Sequence, residues 1–237
     1  SLEAEARRKG EEGRLKARRV EGLSGARKTE RPLLINEVEA GIRLLDEGIG
    51  LYTRAGTGGS DSKAYAADRE EAVGKLSREL EVEGKSLCEE GKKVLDAKFP
   101  PTDDAGRSEA EAALVKLKEG LALYDRVSRL TGRKFDDTYR RAHESALKVV
   151  LADLEKEGES RCKEGQDLLQ TLKDDFGETL EGAAKEKFRG DLDRCKKLLS
   201  EGIHFLERAN AISGREYSVE SYLESLKAVR MARGGLD

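Results

Sequence analysis

Apolar residues recur at spacings of three and four along most of this chain, a pattern typical of helices that bury one face. No segment alternates strictly between apolar and polar residues, so we expect no sheet. Helix-breaking and capping residues divide the pattern into six helices that follow a charged lead-in. The predicted helices are Pro32 to about Arg54, Lys63–Lys98, 103–131, Lys134–Asp175, 178–212 and Ser218–Arg233.

The boundaries between these helices follow from local chemistry. Pro100 and Pro101 end the second predicted helix, and Thr102 or Asp103 is expected to cap the next one. Three glycines are expected to break the chain between the later helices. They are Gly132, Gly177 and Gly214.

An internal match indicates duplication. Tyr65–Leu95 aligns with Tyr139–Leu169 at an offset of 74 without gaps, and twelve of the thirty-one positions are identical. The helix that precedes this segment occurs three times. Its copies begin to match at Leu45, Leu117 and Leu199, at offsets of 72 and then 82. The repeated unit is therefore a helix, a turn and a second helix. We predict three units at about 32–102, 103–177 and 178–237 within a repeat domain of 32–237.

These units predict an all-α fold of about seven helices, arranged as stacked antiparallel hairpins in an elongated solenoid or an extended bundle. Seven-residue spacing of Val73, Leu80, Leu87 and Val94 is what a spectrin-like coiled coil would use in such a bundle.

Glycine follows glutamate inside the helices at recurring places. The six glycines are Gly13, Gly48, Gly91, Gly120, Gly165 and Gly202. Because a glycine inside a helix costs about 1 kcal/mol relative to alanine, its recurrence needs a reason. We predict that these glycines allow neighbouring helix backbones to approach closely. The alternative is that they lie on exposed faces and bend the helices.

Residues 1–31 differ from the rest of the chain. They contain ten Lys or Arg and six Glu, with few large aliphatic residues. This composition predicts a charged helical lead-in that acts as a spacer, because it has little to bury. The alternative is an integral half-hairpin that pairs through Gly13 and Leu15 with the helix after Pro32.

Composition narrows the function classes. Charged residues make up 39% of the chain, and the net charge is −3, so no overall basic field favours nucleic acid. No apolar run is long enough to span a membrane. The chain has three cysteines, an odd and small number that argues against a disulfide-stabilised scaffold. Their low number favours a reducing compartment, so we expect the cytoplasm. An anchored periplasmic or extracytoplasmic domain is the alternative.

The sequence lacks the arrangements that support catalysis or metal binding. His143 and His204 stand alone, and there is no CxxC, HExxH or P-loop motif. Cys88, Cys162 and Cys195 lie on apolar stripes, where cysteine acts as a small hydrophobic residue. We therefore expect a protein that is not an enzyme and has no catalytic residues, metal site or cofactor.

Recurring arginine and tyrosine residues are the best candidates for binding a partner, because both types are enriched at binding hot spots. The candidate partner-binding residues are Arg54, Arg126, Arg208, Tyr52 and Tyr124. In the alternative interpretation, each arginine pairs with a glutamate on another helix and holds the stack together.

One hairpin has a glycine in its first helix, Gly214-Arg215-Glu216-Tyr217 at its turn, and Tyr222, Leu226 and Val229 in its second helix. This hairpin resembles a tetratricopeptide-type repeat, in which paired helices stack into a superhelix. The resemblance implies binding of partner proteins through a concave face. We therefore expect a scaffold or adaptor that binds protein and not nucleic acid. The alternative is a self-associating, coiled-coil-like spacer or filament component.

Overall fold

The structure is a computed structural model that describes residues 1–57, 59–176 and 180–235, with only the backbone at Lys98. Helix is the only regular secondary structure in these ranges, so the predicted all-α fold is confirmed. The α-helices of these ranges are α1 (Leu2–Ala17), α2 (Arg31–Ala55), α3 (Ser60–Lys98), α4 (Asp104–Thr131), α5 (Thr138–Leu172), α6 (Gly182–Ser213) and α7 (Glu220–Gly234). Short 3₁₀ segments follow α1 and α5 at Arg18–Gly22 and Lys173–Asp175. None of these helices is both long enough and apolar enough to cross a bilayer.

The helix ends follow the predicted chemistry. The carboxylate of Asp103 accepts a hydrogen bond from the Gly106 backbone N–H at 2.7 Å, which caps the start of α4 as expected. Gly132 and Gly214 follow α4 and α6 with φ of 73° and 68°, left-handed values that glycine adopts without strain. The turn predicted at Gly177 lies outside the described residues.

The chain forms two compact units, each with its own core. Unit 1 comprises Ser1–Glu90 and Lys116–Tyr139, and unit 2 comprises Gly91–Val115 and the described residues of Arg140–Asp237. Helices α3, α4 and α5 contribute residues to both. This division differs from the three units predicted from the sequence match, because it follows spatial contacts instead of repeated positions.

The core of each unit is built from aliphatic residues on the predicted helix faces. In unit 1, Leu45, Leu76, Leu80 and Val127 are completely buried together with Tyr65, which is 1% exposed. The fully buried residues of the unit 2 core include Leu192, Leu199, Val229 and two cysteines, Cys162 and Cys195. The cysteines take the same role as the aliphatic side chains, as the sequence predicts.

Glycines let helices cross at backbone contact. A Cβ atom on Gly120 of α4 would lie 2.7 Å from the carbonyl oxygen of Gly84 and 2.5 Å from the Sγ of Cys88, both on α3. Real Cβ atoms do not approach other atoms this closely, so the crossing requires glycine. The prediction of close helix approach is confirmed at this position.

The same crossing recurs in unit 2, between α5 and α6. A Cβ atom on Gly202 would lie 2.8 Å from the Gly158 carbonyl oxygen and 2.5 Å from the Cys162 Sγ. Gly158 and Cys162 are the sequence-match counterparts of Gly84 and Cys88, and Gly202 is that of Gly120. Close contacts therefore recur at the offsets of the sequence match.

Helix α1 is packed on α2 and not extended away from it. Its buried residues are all small, namely Ala6, Gly10, Gly13 and Ala17. A Cβ atom on Gly13 would lie 2.8 Å from the backbone nitrogen of Leu45 in α2. This packing favours the half-hairpin over the spacer, although Leu15 does not take part because it is 71% exposed.

The spacer interpretation of residues 1–31 rested on their shortage of large apolar side chains. Close backbone approach buries area without such side chains, because glycine and alanine let the two helix surfaces meet directly. Val20 and Leu23, which follow α1, add two buried aliphatic residues to the same core.

Substituting the crossing glycine is expected to destabilise the protein, whereas substituting an exposed helical glycine is expected to stabilise it. Gly120→Ala introduces a clash with backbone and should lower the free energy of unfolding by about 1–3 kcal/mol. Gly74→Ala in α3 meets no atom within 4 Å and should raise it by about 0.4–1 kcal/mol. Chemical unfolding of both variants measures the difference, and equal effects would contradict the packing role.

Deleting residues 1–28 is expected to lower the melting temperature by more than about 5 °C, since about 1 kcal/mol corresponds to 2–4 °C at this chain length. The deletion removes Leu23 and uncovers the surface of α2.

Two point variants serve as a matched pair for the deletion. Leu23→Ala should lower the free energy of unfolding by about 2–5 kcal/mol, and Leu15→Ala should lower it by less than about 0.5 kcal/mol. A shift of only about 1–2 °C on deletion would instead support the spacer.

Candidate functional site

Arg126 joins α4 to α2 within unit 1. Its guanidinium donates to both carboxylate oxygens of Glu39, at 3.0 and 3.1 Å, and to the amide oxygen of Asn36 at 2.6 Å. The Arg126 and Glu39 side chains are only about a quarter exposed (25% and 24%). This bidentate geometry is the strong form of an arginine–carboxylate contact.

Arg208 makes the corresponding contact in unit 2, from α6 to α4. It donates to Glu111 at 2.7 Å, to Asp104 at 2.7 Å and to the hydroxyl of Ser108 at 3.4 Å. Ser108 and Glu111 stand at the same sequence offset from Asn36 and Glu39 as Leu117 does from Leu45. We call the Arg126–Glu39 and Arg208–Glu111 contacts the arginine clasps.

A second set of ion pairs recurs at the N-terminal ends of α2 and α4. In each unit, one arginine there forms ion pairs with two acidic residues that are four positions apart on the next helix. These pairs are Arg31 with Glu79 and Glu83, and Arg107 with Asp153 and Glu157. The acidic residues of the two sets are 74 positions apart, which is also the offset between Tyr65 and Tyr139. These carboxylates therefore recur together with the apolar positions of the match.

Three arginines of unit 2, one of which belongs to the clasp, lie around an aromatic ring. The guanidinium carbons of Arg107, Arg161 and Arg208 lie 5.6, 5.3 and 5.2 Å from the centre of the Phe205 ring, which is 6% exposed. Each distance is within the range of a cation–π interaction.

The hydrogen bond from Arg208 lowers the pKa of Asp104, so this carboxylate stays ionised well below neutral pH.

The two candidate tyrosines face the core of unit 1. Tyr52 and Tyr124 are 6% and 9% exposed, and they stack on Tyr65 and Tyr139 with ring centres 6.2 and 6.3 Å apart. Burial raises the pKa of Tyr124 to about 12. Both rings therefore stabilise the helical hairpins and leave little surface for a partner.

The three candidate arginines have different surroundings. Arg126 and Arg208 are engaged in the clasps, which is the intramolecular arrangement that the alternative interpretation describes. Arg54, at the end of α2, is exposed, and no carboxylate among the described residues lies within 4 Å of it. Arg126 and Arg208 find their carboxylates two helices earlier in the described chain, on α2 and α4.

A groove open to solvent lies beside the Arg126 clasp in unit 1. Its volume is about 280 Å³. It is lined by four arginines, two carboxylates and two aliphatic residues, contributed by α2, α3 and α4. These residues, which we call the arginine groove, are Arg43, Arg69, Arg126, Arg129, Glu39, Asp46, Ile42 and Leu130.

Two of the four arginines in this groove are neutralised. Arg126 pairs with Glu39, and Arg69 of α3 pairs with Asp46. Arg43 and Arg129 are exposed and have no carboxylate within 4 Å in the part of the chain that the structure describes. The groove therefore carries a net charge of about +2 on a chain whose overall charge is −3.

The repeat comparison missed Arg43 and Arg129 because neither recurs. The position of Arg43 holds Val115 and Lys197 in the other copies, and that of Arg129 holds Ala211 in the third. Helical spacing is the signal that finds them. Arg43 lies four positions after Glu39, and Arg129 lies three positions after Arg126, so each shares a helix face with a clasp residue.

The histidines and cysteines do not form a reactive site in the described structure. No group of three or more His, Cys, Asp or Glu there is arranged to hold a metal ion. All three cysteines are free and buried, and burial raises the pKa of each thiol to about 11. A thiol with this pKa is almost entirely protonated at neutral pH, so it is a poor nucleophile.

Comparisons with protein family models, with curated proteins and with solved structures return no match to this chain.

Breaking the unit 2 clasp is expected to destabilise the protein. Arg208→Met leaves Glu111, which is only 17% exposed, without its cation, and should lower the free energy of unfolding by about 2–3 kcal/mol. Adding Glu111→Met should recover most of this loss, because no partly buried charge is then left unpaired in the clasp. Lys197→Met is the matched control, since Lys197 is 75% exposed in its pair with Glu201 and should cost less than about 0.5 kcal/mol.

Chemical unfolding of the single and double variants measures the coupling between Arg208 and Glu111. Additive losses in the double variant would contradict the clasp.

Proposed function

We propose that this chain is a non-enzymatic scaffold or adaptor that binds a partner protein through the surface of a helical repeat. The observation that carries the proposal is the arginine groove, where two exposed guanidinium groups have no carboxylate of the described chain within 4 Å. The other two arginines of the groove are paired within the chain. Arginines left without a counter-charge in a concave site are the residues a binding surface uses.

The recurrence of backbone crossings and ion pairs supports a repeat architecture of the tetratricopeptide type. Gly84 with Gly120 and Gly158 with Gly202 occupy matched positions, and so do the two clasps. A unit whose hairpins are joined by both kinds of contact presents a fixed surface. Such a surface binds without a large ordering cost.

The cytoplasm is the proposed location. Cys88, Cys162 and Cys195 are all free thiols, which is the usual state of cysteine in a reducing compartment.

Affinity capture tests the proposal. The tagged 237-residue chain, produced in the cells in which it naturally occurs, should recover a partner protein in stoichiometric amount. An excess of untagged chain should displace that partner, which serves as the control for binding to the matrix. Recovery of the chain alone would contradict the scaffold function.

Sedimentation velocity of the purified chain separates the scaffold from the alternative. A scaffold should keep one sedimentation coefficient across concentrations when no partner is present. A coefficient that rises with concentration would favour the self-associating spacer. Val73 and Leu80 of the proposed heptad seam are 9% and 0% exposed within unit 1, so they do not supply a surface for such association.

A further inference from the structure

The arginine groove has a local charge that the rest of the described chain does not balance. Arg43 of α2 and Arg129 of α4 line the same groove, and neither has a carboxylate within 4 Å among the described residues. The two carboxylates in the groove, Glu39 and Asp46, are already bound by Arg126 and Arg69. A ligand that enters the groove therefore meets two cations that need an anionic partner.

The shape of guanidinium favours carboxylate as that anion. Its planar fork of N–H donors matches the two oxygens of a carboxylate, as the Arg126–Glu39 contact within the groove already demonstrates. The half-buried Leu130 provides aliphatic surface beside these arginines. A glutamate side chain has both features, because its methylene groups can lie on aliphatic surface while its carboxylate reaches a guanidinium.

The lining argues against nucleic acid as the ligand. The described residues that line the groove include no aromatic side chain, so they offer no surface on which a base could stack. The volume of about 280 Å³ suits a few side chains of an extended or helical peptide segment.

We propose that the arginine groove binds an acidic peptide segment of a partner protein, with side-chain carboxylates of that segment paired to Arg43 and Arg129. This inference rests on the proposed function, because it names the chemistry of the partner for the same surface. Arg126 and Arg69 stay in their intramolecular pairs and shape the groove. The segment contributes internal Glu or Asp side chains, so a free chain terminus is not needed.

A binding titration with the purified 237-residue chain tests this proposal. The probe is a pentapeptide of four glutamates around a central leucine, with fluorescein on its N-terminus and an amide at its C-terminus, so that negative charge comes only from the side chains and the label. The same labelled peptide with glutamine at the four positions is the control, because it carries only the charge of the label. A labelled single-stranded oligonucleotide of matched charge tests the nucleic-acid outcome.

The variant R43E/R129E should weaken binding of the acidic peptide at least about tenfold. R18E/R27E is the matched control, because Arg18 and Arg27 are also exposed, lie outside the groove and have no described carboxylate within 4 Å. It makes the same change in net charge and should alter the affinity less than about twofold. Circular dichroism and melting of both variants verify that they fold.

Three results would overturn the proposal: no binding of the acidic peptide by the wild-type chain, equal losses in both variants, or tighter binding of the oligonucleotide. The test also separates the two proposals. A captured partner that R43E/R129E retains would leave the scaffold function standing and reject the acidic segment. Peptide binding without any captured partner would reject the scaffold function alone.

Discussion

Backbone-to-backbone approach at glycine is the constraint on which the rest of this structure depends. A chain with 39% charged residues and few aromatics has little bulky apolar surface to bury. Where Gly84 meets Gly120 and Gly158 meets Gly202, the helices come close enough to exclude water without large side chains. Dispersion contacts increase as the two surfaces meet, and these contacts replace part of what a thicker core would supply.

The ion pairs need helices that are held in a fixed arrangement. A guanidinium reaches a carboxylate on another helix only if the helix axes lie at a fixed distance and register. The arginine clasps recur at matched positions, as the crossings do, although the clasps join α2 to α4 and α4 to α6, whereas the crossings join α3 to α4 and α5 to α6. The charges in turn select the partner helix, since an arginine displaced by one turn would face a different side chain.

Much of the helical architecture was predictable from the sequence, because helix ends depend on local chemistry. Gly132, Gly214 and Asp103 act where the predicted chemistry places them. The packing of α1 was not predictable from the amount of apolar side chain in residues 1–31, since burial there comes from small residues such as Ala6 and Ala17. The recurrence of glycine after glutamate, at Glu12-Gly13, was the signal that pointed to it.

The candidate site was predicted less completely, for a different physical reason. Recurrence in the sequence selects residues that every unit needs, and such residues stabilise the fold. Arg126 and Arg208 recur because each joins two helices, and Tyr124 recurs with Tyr52 because each stacks on another tyrosine. Arg43 and Arg129 do not recur, and their proximity depends on how α2 and α4 pack, which the sequence pattern does not specify.

The crossing glycines also govern when the helices form. Glycine weakens an isolated helix, so α4 or α6 alone in water carries a defect near its middle. Glycine becomes favourable only when the partner helix is in place, because its lack of a side chain allows the two backbones to make contact. We therefore expect helix formation and helix pairing to be coupled in this protein.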